Sequence, residues 1–157
     1  MNNYRDVLNE KGFLVTSIVG NSMMPLLRED KDTVLIKPKT RVLKKYDVVL
    51  FQRENKKYVL HRIIKIKNNN LIICGDNRIH KDYDIHSEDI IGIMEGYYKK
   101  EKFISINSFW YKVYCHLLWL NRIFVLIKFI VMKIFRKRGN QNEWFYNNFK
   151  IINQKIW

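Results

Sequence analysis

The sequence has few of the residues that organise small disulfide-linked or metal-binding proteins. Its 157 residues include no alanine, two cysteines, two prolines and six glycines. Cys74 and Cys115 occupy separate positions, so they form neither a zinc-ligand spacing nor a disulfide framework. We therefore expect no metal or other cofactor, and a reducing, intracellular environment fits best.

The N-terminal region lacks a long apolar run. Residues 3–11 are evenly charged and predict a short helix that ends at Gly12. Residues 13–19 are apolar and rich in β-branched side chains, which predicts a strand. Because a membrane-spanning helix needs about 20 apolar residues, we expect neither an export signal nor an N-terminal anchor.

Acidic residues are scarce in the C-terminal third, which shapes the net charge of +14. Residues 109–157 hold 9 Lys and Arg against 1 acidic residue, whereas residues 1–108 hold 20 against 14. With 20 Lys, 16 Asn and 21 Ile, part of the excess is what an A/T-rich coding sequence tends to produce. The sequence contains no helix-turn-helix, zinc-finger or RNA-binding signature. We therefore predict no nucleic-acid partner.

The length of 157 residues supports one domain with an appendage, and 47% apolar residues are enough for a core. Between residues 33 and 106, short β-type runs alternate with polar turns and no helical pattern intervenes. This predicts an antiparallel, mostly-β domain, either a folded sheet or a small barrel. The longest predicted loop, residues 75–89, is dense in ionisable groups and is a candidate site. The predicted strands are residues 33–37, 48–53, 58–67, 71–74, 90–96 and 103–106.

Residues 109–138 contain no glycine or proline and predict one helix or two consecutive ones. At about 100° per residue, apolar side chains share one side and most cationic side chains lie opposite. Such a helix is typical of binding to a membrane surface. The predicted apolar face comprises Leu120, Ile123, Ile127, Ile130, Val131 and Ile134, and the cationic side comprises Arg122, Lys128, Lys133, Arg136 and Lys137.

We therefore divide the chain into a β domain, residues 1–108, and a basic amphipathic appendage, residues 109–157. The predicted location is the cytoplasmic face of the cell membrane, with peripheral attachment through residues 109–138. Two alternatives remain open. The helix could pack on the β domain, or residues 117–135 could span the bilayer, with cationic side chains at a costly depth.

The segment Gly-Asn-Ser-Met-Met-Pro at residues 20–25 directly follows the first predicted strand. A nucleophilic serine must project from a fixed turn, with amide N–H groups nearby to hold the oxyanion. Gly20 permits an unusual dihedral angle and Pro25 restricts the following chain, so the turn would fix Ser22. An ordinary loop serine is the alternative.

Two further segments provide candidate partners for such a serine. His61 lies within an apolar β run, so it is either a hydrogen-bonded structural residue or a base. Cys-Gly-Asp-Asn at residues 74–77 opens the polar loop. Asp76 or Asp82 could orient an imidazole, as the third member of a Ser-His-Asp triad does.

In their order and setting, these segments resemble the type I signal peptidase superfamily. The superfamily places a serine in a Ser-Met-x-Pro box, then a Lys or His base before an Arg at a strand end, then Gly-Asp-Asn. Because His61 occupies the base position, the chain resembles the His branch of endoplasmic-reticulum and archaeal signal peptidases. Bacterial signal peptidases and self-cleaving repressors carry Lys there. The resemblance covers roughly residues 13–96 and rests on residues 20–25, Tyr-Asp-Val-Val-Leu-Phe (46–51), Val-Leu-His-Arg-Ile (59–63), residues 74–77 and Ile-Ile-Gly (90–92).

The resemblance implies a signal-peptidase/self-cleaving-repressor-like β domain with Ser22 as nucleophile and His61 as general base. In the His branch, a second aspartate six residues after the first resembles the charge-relay residue. Asp82 is therefore the first choice for the third member, and Asp76 is the second. The implied activity is a serine endopeptidase that cleaves a signal or leader peptide from a precursor bound in extended form.

The chain also departs from this family pattern. Related enzymes usually have an N-terminal membrane anchor, which the 21 residues before Ser22 cannot form, so we expect a small form with a specialised substrate. Gly20 offers no hydroxyl to an oxyanion, so we expect the backbone N–H of Ser22 to carry more of that role. The alternative function is a catalytically silent peptide- or membrane-binding β domain. A self-cleaving switch would need a DNA-binding domain, for which residues 1–12 are too short.

Overall fold

The computed structural model describes residues 3–137, except for the side chains of Trp119 and residues 134–137. An antiparallel sheet of eight strands forms its body, in the order β1-β2-β7-β3-β4-β5-β6, with β8 paired to β7. The predicted mostly-β fold with a C-terminal helix is confirmed. The elements are α1 (Tyr4–Lys11), β1 (Leu14–Ser17), β2 (Asp32–Pro38), β3 (Val48–Gln52), β4 (Tyr58–Lys67), β5 (Asn70–Cys74), β6 (Asp82–His86), a 3-10 turn (Ser87–Asp89), β7 (Ile90–Lys99), β8 (Lys102–Ser105) and α2 (Phe109–Lys137).

The predicted N-terminal helix is confirmed as α1. The side chain of Asn3 caps it by accepting a hydrogen bond from the N–H of Arg5 at 3.1 Å. The helix ends at Gly12, which adopts a left-handed φ of 73° that suits a residue without a Cβ atom. Leu8 anchors the helix in the core, where it is 1% exposed.

All the predicted strands are present, but the predicted loop at residues 75–89 is only partly a loop. Residues Asp82–His86 form β6, which pairs with β5 through Leu71 opposite Ile85 and Ile73 opposite Asp82. The prediction missed β6 because it is a polar edge strand without clear alternation of buried and exposed residues. This strand holds Asp82 beside β5 rather than in a free loop.

The sheet separates two apolar clusters, and β3 contributes to both. Val48 and Leu50 lie in the larger cluster with α1, whereas Val49 and Phe51 lie in the smaller one. Successive side chains of a strand point to opposite faces, so a strand buried on both sides has no polar face. The next strand in the sheet, β4, follows the same alternation.

The helix α2 packs on the β domain with one face and leaves another face open. Its side chains at Tyr111, Cys115 and Leu118 belong to the larger apolar cluster. The predicted apolar face stays largely exposed, as in Ile123 at 47% and Ile127 at 53%. Packing on the β domain and an exposed apolar face therefore occur together. The division after residue 108 stays a prediction, while Ile134 of that face and residues 138–157 lie outside the described residues.

Within residues 3–137, no single helix is long and apolar enough to cross a membrane. The stretches Phe109–Leu118 and Leu120–Lys133, inclined at 46° to each other, reach that length and composition only when taken together.

Candidate active site

The turn that carries Ser22 follows β1 and is held from both sides. At its start, Gly20 has a φ of 80°, and its N–H donates to Glu29 Oε1 at 2.6 Å. From the opposite side, the backbone N–H of Asn77 donates to the Ser22 carbonyl oxygen at 2.9 Å, and Asn77 Nδ2 donates to the Asn21 carbonyl oxygen at 3.1 Å. These contacts fix the half-buried Ser22 at a defined place.

The imidazole of His61 lies on β4 and is oriented by a carboxylate. His61 Nδ1 is 2.9 Å from Asp82 Oδ2, and the histidine is only 5% exposed. A proton on Nδ1 shared with the carboxylate leaves Nε2 as the nitrogen that can accept another proton. This is the tautomer that a general base requires.

A close approach at Gly75 brings the serine turn next to the imidazole. A Cβ atom added to Gly75 would lie 2.5 Å from the Ser22 carbonyl oxygen and 3.1 Å from His61 Nε2. The end of β5, the serine turn and Nε2 therefore meet where only glycine fits without displacing backbone atoms. Sequence reasoning used Gly75 only as part of a motif and missed this packing role.

Ser22, His61 and Asp82 all line one open cleft of about 440 Å³. Within the described part of the chain, Ser22 Oγ makes no hydrogen bond to His61, and the Ser22 N–H donates to no protein acceptor. Catalytic hydrogen bonds are often long before a substrate binds. An unpaired N–H beside the cleft is available to an oxyanion.

The surroundings of His61 favour its neutral form. Burial lowers the pKa of His61 below its ordinary value of 6.5, because a charged imidazolium loses hydration there. The Asp82 carboxylate opposes this shift, whereas the positive charges of Arg53 and Arg78 add to it. A neutral imidazole at neutral pH is ready to accept a proton.

Arg53 is a residue of this site that sequence reasoning missed. Its Nη2 donates to Asp82 Oδ1 at 2.5 Å, while the other carboxylate oxygen faces His61. The two residues are 29 positions apart, and no local sequence pattern relates them. Only the pairing of the strands brings them together.

The second candidate aspartate, Asp76, faces a different partner. Its carboxylate accepts hydrogen bonds from Arg62 Nε at 2.8 Å and Arg62 Nη2 at 2.7 Å, and both side chains are buried. The Tyr114 hydroxyl donates to Asp76 Oδ2 at 3.0 Å, and Asn121 Nδ2 donates to the Asp76 carbonyl oxygen at 2.8 Å. Of the two aspartates, Asp82 therefore contacts the imidazole. Their catalytic roles stay predictions.

An antiparallel β domain with a serine and a carboxylate-paired histidine at one cleft has the architecture of a serine peptidase. The Peptidase S24-like family model matches residues 4–95, which is more than half of the chain. The protein therefore belongs to the Peptidase S24-like family, within the superfamily that includes signal peptidases and self-cleaving repressors. This membership indicates peptidase or self-cleaving, repressor-like activity. No curated protein matches the chain.

Proposed function

We propose that this protein is a serine endopeptidase that cleaves a signal or leader peptide from a precursor through Ser22, His61 and Asp82. The observation that carries the proposal is the hydrogen bond between His61 and Asp82 beside the cleft that Ser22 also lines. A buried histidine needs a polar partner in any case. A partner on Nδ1 with Nε2 turned toward the serine turn is the arrangement that base catalysis needs.

In the proposed mechanism, His61 Nε2 accepts the proton of Ser22 Oγ while that oxygen attacks the scissile carbonyl carbon. The Asp82 carboxylate stabilises the imidazolium, and the Ser22 N–H donates to the oxyanion. The imidazolium then protonates the leaving amine, which gives an acyl-enzyme on Ser22. Water, deprotonated by His61, hydrolyses the ester and restores the enzyme.

We further propose that the chain belongs with the endoplasmic-reticulum and archaeal type of signal peptidase. The histidine at the base position supports this, because the self-cleaving repressors and bacterial enzymes carry lysine there. His61 is already neutral at neutral pH through burial, whereas a lysine needs a much larger pKa shift to act as a base. A precursor cleaved in trans is the substrate class this proposal implies.

We also propose that the exposed face of α2 attaches the protein to the cytoplasmic face of the cell membrane. Large apolar side chains, including Phe124 at 52% exposure and Ile130 at 47%, lie along a helix face that the rest of residues 3–137 leaves open. Acidic side chains are absent from α2, so an anionic lipid surface complements its lysines. Such attachment would bring the peptidase to precursors at the membrane.

The test uses the purified full chain, a synthetic peptide library read by mass spectrometry, and Ser22→Ala. We expect cleavage by the wild type, no cleavage by Ser22→Ala, and full activity in Ser105→Ala, a serine change on β8. Cleavage that persists in Ser22→Ala would contradict the assignment. Cleavage of the chain itself, with no library peptide cut, would instead favour a self-cleaving switch.

Vesicle binding tests the attachment separately. We expect the chain to bind vesicles that contain phosphatidylserine, and the paired change Ile123→Asn with Ile127→Asn to weaken binding at least about 10-fold. Binding without any peptidase activity would favour the silent membrane-binding domain.

A further inference from the structure

We infer that α2 is a positioning element of the active site, in which Tyr114 and Asn121 hold Asp76 and, through Asn77, the turn that carries Ser22. This inference rests on the proposed peptidase function and adds residues outside the part of the chain that the family model matches. It makes the helix part of the catalytic unit rather than a separable appendage.

The first step of the connection is a pair of hydrogen bonds from α2 to Asp76. The Tyr114 hydroxyl binds the Asp76 side chain at 3.0 Å, and Asn121 Nδ2 binds the backbone carbonyl oxygen at 2.8 Å. The helix therefore binds both the side chain and the main chain of Asp76. Burial raises the pKa of Tyr114, so its hydroxyl remains protonated and continues to donate.

The second step runs from Asp76 to the nucleophile through the next residue. The Asn77 N–H, which belongs to the peptide unit whose oxygen Asn121 holds, donates to the Ser22 carbonyl oxygen at 2.9 Å. A shift of this peptide unit therefore moves the Asp76 carbonyl oxygen, which Asn121 holds, and the Asn77 N–H, which holds Ser22, together. The Asn77 side chain adds a bond to Asn21 at 3.1 Å.

The surrounding network is rigid enough to transmit such a constraint. The ion pair of Asp76 with Arg62 is fully buried, and Arg62 Nη1 also donates to the Tyr46 carbonyl oxygen at 2.9 Å. Among the described residues, no buried side-chain polar atom lacks a hydrogen-bond partner. A satisfied network has one preferred geometry, and misplacing a catalytic group by about 1 Å can cost roughly 100-fold in rate.

Tyr111 provides a matched comparison on the same helix. Its hydroxyl accepts a hydrogen bond from Arg62 Nη1 at 2.9 Å, and among the described residues it makes no hydrogen bond to Asp76. Tyr111→Phe and Tyr114→Phe therefore each remove one hydroxyl from the same buried network. Only Tyr114→Phe removes a hydrogen bond to Asp76, the residue directly before Asn77.

The first experiment measures hydrogen exchange at the Asn77 amide in the full chain. We expect Tyr114→Phe and Asn121→Ala to accelerate this exchange roughly 10-fold or more, because they favour local opening, and Tyr111→Phe to change it less than about 3-fold. Unchanged exchange in both Tyr114→Phe and Asn121→Ala would overturn the inference. This measurement needs no substrate, so it stands apart from the proposed peptidase function.

The second experiment measures kcat and KM for a library peptide that the wild type cleaves. We expect Tyr114→Phe and Asn121→Ala to lower kcat roughly 10-fold with KM changed less than about 2-fold, because Ser22 is misplaced while the cleft is intact. Tyr111→Phe, assayed well below its melting temperature, is the control for a purely structural loss. An equal fall in kcat for Tyr111→Phe would overturn the positioning role. A wild type without activity would contradict the proposed function and leave the exchange result to decide this inference.

Discussion

Two aspartates six residues apart stand in opposite environments. The Asp76 side chain is 0% exposed, and its carboxylate accepts hydrogen bonds from Arg62 and Tyr114. The Asp82 side chain is 18% exposed, with one oxygen toward His61 and the other toward Arg53. Residue type and proximity in sequence do not separate the two, but burial and partners do. The buried Asp76, paired with Arg62, is suited to hold structure, and the partly exposed Asp82 is suited to respond to charge on the imidazole.

The alternation of β4 explains why each aspartate meets a different partner. His61 and Arg62 are consecutive residues of this strand, so their side chains project to opposite faces. One face turns to the smaller apolar cluster, where Phe51 lies 6.4 Å from the His61 ring. The other face turns to α2. Two adjacent residues thus connect two separate networks through one strand.

The largest expected effect is on catalysis, at the partly exposed Asp82. We expect Asp82→Asn to lower kcat/KM about 10³- to 10⁴-fold, because the neutral amide neither fixes the required tautomer nor stabilises the imidazolium. The free energy of unfolding should fall by no more than about 1 kcal/mol, since partly exposed ion pairs contribute little. Steady-state kinetics and urea denaturation measure the two quantities. Activity within 10-fold of wild type would show that Asp82 is not the third member.

The next largest effect is on stability, at the buried Asp76. Asp76→Asn should lower the free energy of unfolding by about 3–5 kcal/mol, because it leaves the Arg62 charge buried without its counterion. Urea denaturation followed by circular dichroism measures this loss. Replacing both partners, Asp76→Leu with Arg62→Met, should destabilise less than Asp76→Asn. If Asp76→Asn proves as stable as wild type, the contrast between the two aspartates fails.

A change at Gly75 should affect stability and catalysis together. Gly75→Ala places a Cβ atom 2.5 Å from the Ser22 carbonyl oxygen, so backbone must move at the site. We expect a loss of about 1–3 kcal/mol and at least a 10-fold lower kcat/KM. The control is Gly12→Ala, which has no neighbour within 4 Å of the added atom and meets only backbone strain. It should lose stability while keeping its activity.

The smallest expected effect is on the pH dependence. Protonated His61 cannot accept the Ser22 proton, so kcat/KM should fall as the pH drops through the pKa of His61. Because burial lowers that pKa, the midpoint should lie below 6.5. Arg53→Gln removes a nearby positive charge and should move the midpoint to higher pH, whereas Asp82→Asn should move it lower. Midpoints that move in the same direction in both variants would contradict this electrostatic description.

Much of the sheet could be predicted from the sequence, because buried strands leave apolar runs between polar turns. The strand β6 could not, since its stability comes from pairing with β5 at the sheet edge rather than from its own apolar residues. The candidate residues Ser22, His61 and Asp82 were predicted from motif order. Arg53 was not, because its contact depends on how the strands align.

The long helix illustrates the same limit. Periodicity predicted the apolar face that includes Ile123 and Ile127, and that face is the exposed one. The face that packs carries Tyr114, Asn121 and Arg122, whose polar groups look solvent-facing in a sequence. These groups face the β domain because Asp76 and Cys74 accept hydrogen bonds from them there. A one-dimensional pattern contains no information about such a partner.

The alternation of β4 also limits how this protein can evolve. Deleting one residue of β4 ahead of His61, at residues 58–60, would exchange the faces of every later side chain in the strand. The imidazole would then face Asp76 and the guanidinium would face Asp82, so neither network could re-form. Substitutions can weaken either network by itself, but an insertion or deletion in this strand removes both at once. We therefore expect length variation among relatives to fall in the turns at residues 54–57 and 68–69, outside β4.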